Sequence, residues 1–92
     1  MTIDQKKKKA LKAQAHHLKP IIRIGQKGIT ENLLLETEQA LEIHELLKIH
    51  IANDDRDARC EAAQHIAKVT ESEIINQIGK TFTLFRRKKA DA

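Results

Sequence analysis

The sequence contains no tryptophan and no tyrosine, only two phenylalanines, one cysteine, one proline and three glycines. With Cys60 alone, an internal disulfide framework and any cysteine-based zinc module are excluded. No stretch approaches the ~20 apolar residues needed to cross a bilayer. The charged N-terminus is not followed by an apolar segment, so neither a membrane span nor a secretory signal is expected. There is no Ser/Gly-rich linker, no internal repeat, and no low-complexity tract beyond Lys6–Lys9. What is present is an aliphatic inventory of 12 Ile and 9 Leu, with one Val and 11 Ala. Ile, Leu, Val and Phe together exceed a quarter of the residues, enough to oppose disorder. At roughly 100–200 residues per domain, the composition describes a small, soluble, cytoplasmic protein of one domain spanning residues 1–92, with a short basic tail from about residue 87. Monomer is the default expectation, since no exposed apolar face is evident.

The net charge of +4 conceals an uneven distribution. Residues 1–28 carry eight basic groups (Lys6, Lys7, Lys8, Lys9, Lys12, Lys19, Arg23 and Lys27) against Asp4, giving +7. Residues 29–79 carry four basic against eleven acidic groups, giving −7, and residues 80–92 return to +4. A fold that joins the two basic ends would have one strongly cationic face, the footprint of a polyanion binder. Solvated lysine tails that aid solubility are the plainer alternative.

Thr2-Ile3-Asp4-Gln5 has the form of a capping box with Thr2 as N-cap. Ala10, Leu11, Gln14, Ala15 and Leu18 recur at helical spacing, which predicts a helix over residues 3–17, ended by Pro20. Pro20-Ile21-Ile22-Arg23-Ile24 reads as a strand. Thr30 caps a second helix with Leu33, Leu34, Thr37, Ala40, Leu41 and His44 inward and Glu31, Glu36, Glu38 and Glu42 on a solvated acidic face. In the next segment Leu47, Ile49 and Ile51 alternate with Lys48 and His50, as in a strand. Asn53-Asp54-Asp55 is a turn that caps a third helix at about 56–69, with Ala58, Ala62, Ala63, Ile66 and Ala67 inward. Residues 73–78 and 81–86, joined by Gly79-Lys80, read as a hairpin. The order α-β-α-β-α-β-β implies an α/β domain in which a mixed four-stranded sheet packs on three helices.

The most informative local feature is Gly25-Gln26-Lys27-Gly28, a Gly-x-x-Gly tetrapeptide between a strand and a helix. Two glycines permit close approach of backbone N–H groups to a phosphate, and the positive end of the following helix dipole points to the same place. KH domains clamp nucleotide backbones with such a loop; a tight β-to-α turn can need two glycines for structural reasons alone. It is neither a Walker A loop nor a Rossmann fingerprint. Cys60 has no histidine at a helical neighbour position and reads as a buried, inert thiol. The five histidines show no metal-ligand spacing. His16 and His17 end the basic helix near the loop and are either RNA contacts or a solvent-exposed pair. No carboxylate pair resembles a general acid and base. An enzyme is therefore not expected, nor any metal or cofactor. The scarcity of aromatics argues against modules that stack unpaired bases and favours recognition of backbone and shape.

Leu18-x-Pro20, Ile24-Gly25-Gln26-Lys27-Gly28-Ile29-Thr30, Ala40-Leu41 with His44-Glu45-Leu46-Leu47-Lys48-Ile49, and Ile78-Gly79-Lys80 with Leu84-Phe85-Arg86 together resemble the CRM domain (chloroplast RNA splicing and ribosome maturation), whose stand-alone bacterial form is YhbY-like. The resemblance covers nearly the whole chain in order. It implies a fold similar to the C-terminal domain of translation initiation factor three. It further implies RNA binding through the Gly-x-x-Gly loop and adjacent basic surface, and association with precursors of the large ribosomal subunit. By position, Gly25, Gln26, Lys27 and Gly28 would be the RNA-contacting loop. Arg86 stands where the family keeps an Arg after an aromatic, with Phe85 where Tyr is common.

The reading from sequence is thus a non-enzymatic RNA-binding protein that assists large-subunit assembly. Gly25, Gln26, Lys27 and Gly28 form its loop, and Lys7, Lys8, Lys12, Lys19, Arg23, Arg86 and Arg87 meet phosphates. The alternative is a protein-interaction module whose acidic middle, including Glu38 and Glu42, docks on basic ribosomal proteins.

Overall fold

The computed structural model describes residues 4–25 and 27–87. Its elements run α1 (Gln5–Ala15), β1 (Ile22–Ile24), α2 (Glu31–His44), β2 (Leu46–Ile51), α3 (Arg56–Thr70), β3 (Glu73–Ile78) and β4 (Thr81–Phe85). The sheet order is β1-β2-β4-β3, with β1 and β2 parallel and the remaining pairs antiparallel. The expected mixed four-stranded sheet on three helices is what forms.

Each helix starts at a side-chain oxygen that satisfies an otherwise orphaned N–H. Thr30 Oγ1 accepts from the Leu33 amide at 3.1 Å, and Asp55 Oδ1 accepts from Asp57 at 3.2 Å. For α1 the cap is Asp4, whose Oδ1 accepts from the Lys7 amide at 2.7 Å. This displaces the expected capping box, whose Thr2 lies outside the described residues. Gln5 is the first helical residue instead of the third, and a carboxylate at a helix N-terminus is also favoured by the dipole. The helix ends at Ala15, short of residue 17. Only Leu11 and Ala15 of its expected stripe are buried; Ala10, Gln14 and Leu18 are exposed.

Strand alternation divides the sheet into two faces. Ile22, Ile24, Leu47, Ile49, Ile51, Phe82 and Leu84 point to α2 and α3 and join Leu41, Ala63, Ile66 and Ala67 in the main core. On the opposite face Leu11 of α1 covers Leu46, Ile75 and Phe85 in a smaller cluster. The two phenylalanines are both buried, one on each face. His44 is exposed, not inward as expected, because Glu45 takes a positive φ of 61° and turns the chain directly from α2 into β2. Cys60 is half-buried, with Sγ 3.7 Å from Gln77 Oε1.

Candidate functional site

The loop at residues 25–28 leaves the C-terminal end of β1. It lies beside the end of β2, where the Ala52 amide donates to the Ile24 carbonyl at 2.9 Å, and beside the β3–β4 turn through the Ile51 amide and Lys80 carbonyl at 2.9 Å. The Gly28 amide closes the loop on the Gly25 carbonyl at 3.0 Å. The two glycines serve different needs. Gly28 has φ +81°, a region costly for side-chain-bearing residues, so the turn itself requires it. Gly25 has no such φ, and a Cβ there would meet nothing within 4 Å. The same space is open at Gly28, so no neighbour in the fold excludes a side chain at either position, and the Gly25 backbone is exposed. Lys27 is exposed at the loop tip; Gln26 lies outside the described residues.

The same strand parity that buries Ile22 and Ile24 turns Arg23 to the α1 side of the sheet, where it is exposed and paired in register with His50. Lys48 shares that face, two residues back along β2. Helix α1 lies on this side too and contributes Lys7 and Lys12, which are exposed, and Lys8, half-buried. The Lys7 ammonium sits 5.7 Å from the Phe85 ring centroid, a contact that steadies the stem while the charge stays in water. Lys19 is exposed on the connection from α1 to β1. The acidic helix α2 packs on the far face. Arg23, Lys48 and the α1 cations thus lie on one side of the sheet, Lys27 sits in the loop at its end, and the acidic helix α2 lies on the other side.

Arg86 departs from expectation. Its side chain is 11% exposed and turned inward. Nη1 donates to Glu38 Oε1 and, at 3.0 Å, to the Thr70 carbonyl at the end of α3. Nη2 donates to the Glu38 carbonyl at 3.3 Å and lies 3.5 Å from Glu42 Oε1. The guanidinium ties the middle of α2 and the end of α3 to the end of β4, so its expected phosphate contact gives way to a structural one. The acidic face of α2 is correspondingly not purely solvated. Arg87 is exposed beyond it, and the rest of the basic tail lies outside the described residues.

At the loop end of the sheet, Lys80 Nζ is 2.8 Å from Asp54 Oδ1. That hydrogen bond and the Lys80 charge hold the Asp54 carboxyl below its ordinary value. His16 and His17 are exposed and meet edge to face, 5.7 Å between ring centroids. Among the described residues no group of three or more His, Cys, Asp or Glu converges as metal ligands do, and no helix is long and apolar enough to cross a membrane.

Sequence reasoning missed a polar patch on the α1 side of the sheet. Arg23, His50 and Thr81 are consecutive partners across the strands, followed by Ile78; Lys48, Thr83 and Asn76 form the next row. The alternation of Lys48 and His50 was visible, but the β2–β4 register that aligns them with threonines was not.

The family model for the CRS1 / YhbY (CRM) domain matches residues 3–86. The chain is 38% identical over 85 residues to a protein named "RNA-binding protein" from Haemophilus influenzae, covering 92% of this chain and 86% of the relative. It is 36% identical over 87 residues to a "Probable RNA-binding protein" from Pseudomonas aeruginosa, covering 95% and 84%. The solution structure of a hypothetical protein from Staphylococcus aureus superposes with a TM-score of 0.84 at 32% identity, covering 99% of this chain and 95% of that one. The fold, the loop between β1 and α2, and these likenesses agree: the chain belongs to the CRS1 / YhbY (CRM) domain family.

Proposed function

We propose that this protein binds RNA through the Gly25–Gly28 loop at the end of the sheet and through the adjoining side that carries Arg23 and helix α1, that it associates with ribosomal RNA of the large-subunit precursor, and that it assists ribosome assembly without catalysing a reaction. The observation that carries the reading is the exposed backbone of Gly25 next to exposed Lys27, at the end of a sheet whose one side carries Arg23, Lys48 and the α1 lysines and whose other side carries the acidic helix α2. The names borne by the Haemophilus and Pseudomonas relatives support the RNA part. The ribosomal part rests on the family resemblance. In this reading Lys27 pairs with a phosphate beside the loop amides, and Lys7, Lys8, Lys12, Lys19, Arg23 and Arg87 neutralise others. The protein-interaction alternative is supported less well, because Glu38 and Glu42 are engaged by Arg86.

The test is crosslinking in cells with sequencing of the bound RNA, alongside binding in vitro. Large-subunit ribosomal RNA is expected in the crosslinks, with the protein on immature particles. In vitro, Lys27→Glu should weaken binding while leaving the fold intact, and affinity should fall by about one log unit per log unit of salt for each duplex phosphate neutralised. Equal affinity of variant and parent, with a flat salt dependence, would overturn the interface.

A further inference from the structure

Helix α1 covers only the lower part of its side of the sheet, over Leu46, Ile75 and Phe85. The uncovered remainder holds a groove of about 150 Å³ lined by Pro20, Lys48, Asn76, Ile78, Thr81 and Thr83. Three threonines among the described residues are buried. Thr37 and Thr70 return their hydroxyls to helix carbonyls, at 2.9 and 2.7 Å. Thr83 is 1% exposed, yet among the described residues its hydroxyl has no partner and it lines the groove. The side chains of Asn76 and Thr81 are likewise unpartnered among the described residues. These hydroxyls and the amide line the groove with their hydrogen-bonding capacity unused by the fold, so they can meet a group that enters it.

The groove's walls say what kind. Ile78, 66% exposed, and Pro20 offer apolar sides. Lys48 supplies a cation, His50 and Arg23 continue the row toward the loop, and neither of the two strand rows contains a carboxylate. The groove is half open and partly polar, and its volume of about 150 Å³ is comparable to that of an enclosed cavity that takes up a single six-membered ring. We infer that the groove seats one unstacked pyrimidine of a single-stranded RNA segment, its polar edge hydrogen-bonded by Asn76, Thr81 and Thr83 and its phosphate by Lys48. The inference rests on the RNA-binding reading and adds base selection to it. The loop and lysines grip backbone; the groove tells one base class from another without an aromatic platform.

The experiment measures affinity for oligo(U), oligo(C) and oligo(A) of equal length at one salt concentration, for the full chain and for Asn76→Ala, Thr81→Ala and Thr83→Val. Pyrimidine oligomers should bind the parent about tenfold more tightly than oligo(A), a single base-edge contact being worth about 5–100-fold. Each variant should move the pyrimidine affinities toward that for oligo(A), and Thr83→Ser should keep the preference. A preference due only to the flexibility of unstacked pyrimidine strands would survive in the variants, and that result overturns the inference while leaving RNA binding in place. So does a parent with no preference. A parent that binds none of the oligomers also overturns the inference, and the RNA-binding reading falls with it only if ribosomal RNA is not bound either. Binding of polyglutamate that is lost in the same variants assigns the groove to an acidic peptide and overturns the inference. If Thr83→Val is unfolded by circular dichroism, the half-exposed Asn76 and Thr81 sites decide.

Discussion

Replacing Arg86 by alanine separates a supporting role from a contacting one. The guanidinium makes three hydrogen bonds, to Glu38 Oε1, the Thr70 carbonyl and the Glu38 carbonyl, and has Glu42 near its second nitrogen. Losing one partner of a buried ion pair costs about 3–5 kcal/mol. Here the side chain of Glu38 is 42% exposed and regains water, which lowers the figure. The Thr70 carbonyl, at the negative end of the α3 dipole, loses its cation. A net loss of about 2–3 kcal/mol is expected, given about 1.5–3 kcal/mol for a hydrogen bond to a charged group. For a domain of this size that lowers the thermal midpoint by about 10–20 °C and the urea midpoint by about 2 M at a slope near 1 kcal/mol per M. The assay is far-UV circular dichroism, since the chain has neither tryptophan nor tyrosine to report by fluorescence. Arg86→Lys should recover only part of the loss, because an ammonium cannot reach carboxylate and two carbonyls in one plane. Under conditions where the variant is folded, its RNA affinity should stay within about twofold of the parent, far below the tenfold change that 1.4 kcal/mol represents. An unchanged urea midpoint together with a large loss of RNA affinity would refute the supporting role and return Arg86 to the interface.

The two loop glycines should part company. Gly28→Ala must hold φ +81° and is expected to lose about 1–2 kcal/mol of stability by denaturant melt. Gly25→Ala should leave the melt unchanged and weaken RNA binding; the reverse pattern would undo the assignment of Gly25 to the ligand. At the other side of the sheet end, Asp54 titrates below its ordinary value because Lys80 bonds and attracts it. Its contribution to stability is therefore present above the unfolded-state value and lost as pH falls through the lowered folded value. NMR titration should find the Asp54 carboxyl returned to the ordinary range in Lys80→Ala, and an unmoved titration would deny the pairing.

What the sequence disclosed and what it withheld follow from the range of the interactions involved. Thr30 and Asp55 are readable as caps because a cap acts across two or three residues. Leu47, Ile49 and Ile51 mark a strand because pleating has a period of two. The Thr2-x-x-Gln5 pattern points to Thr2 as the α1 cap, whereas the Asp4 carboxylate caps the helix two residues on. Arg86 could not be placed at all from its neighbours: Glu38 lies 48 residues away and Thr70 lies 16 away, and only the closed fold brings them together. Read locally, an arginine after a strand next to further basic residues belongs to a cationic tail. The Gly-x-x-Gly loop was legible as a motif, yet the unequal duties of its glycines emerge only from φ, which lies in the left-handed region at Gly28 and not at Gly25.

The concentration of cations on one side has a similarly simple origin in two strands. Arg23 lies between two inward isoleucines, and Lys48 and His50 alternate with Leu47, Ile49 and Ile51. Once α2 and α3 claim the apolar parity, the polar parity of each strand is sent to the α1 side. Helix α1 is anchored there chiefly by Leu11 and Ala15 and is too short to cover it. A one-residue slip of β2 against β4 would turn Lys48 into the core, so the register that protects the core also fixes the polar row. The arrangement of cations and unpartnered hydroxyls on the open face is therefore as robust as the core itself. Stabilising the fold by extending α1 over that face would bury the row and remove the surface on which the proposed function depends.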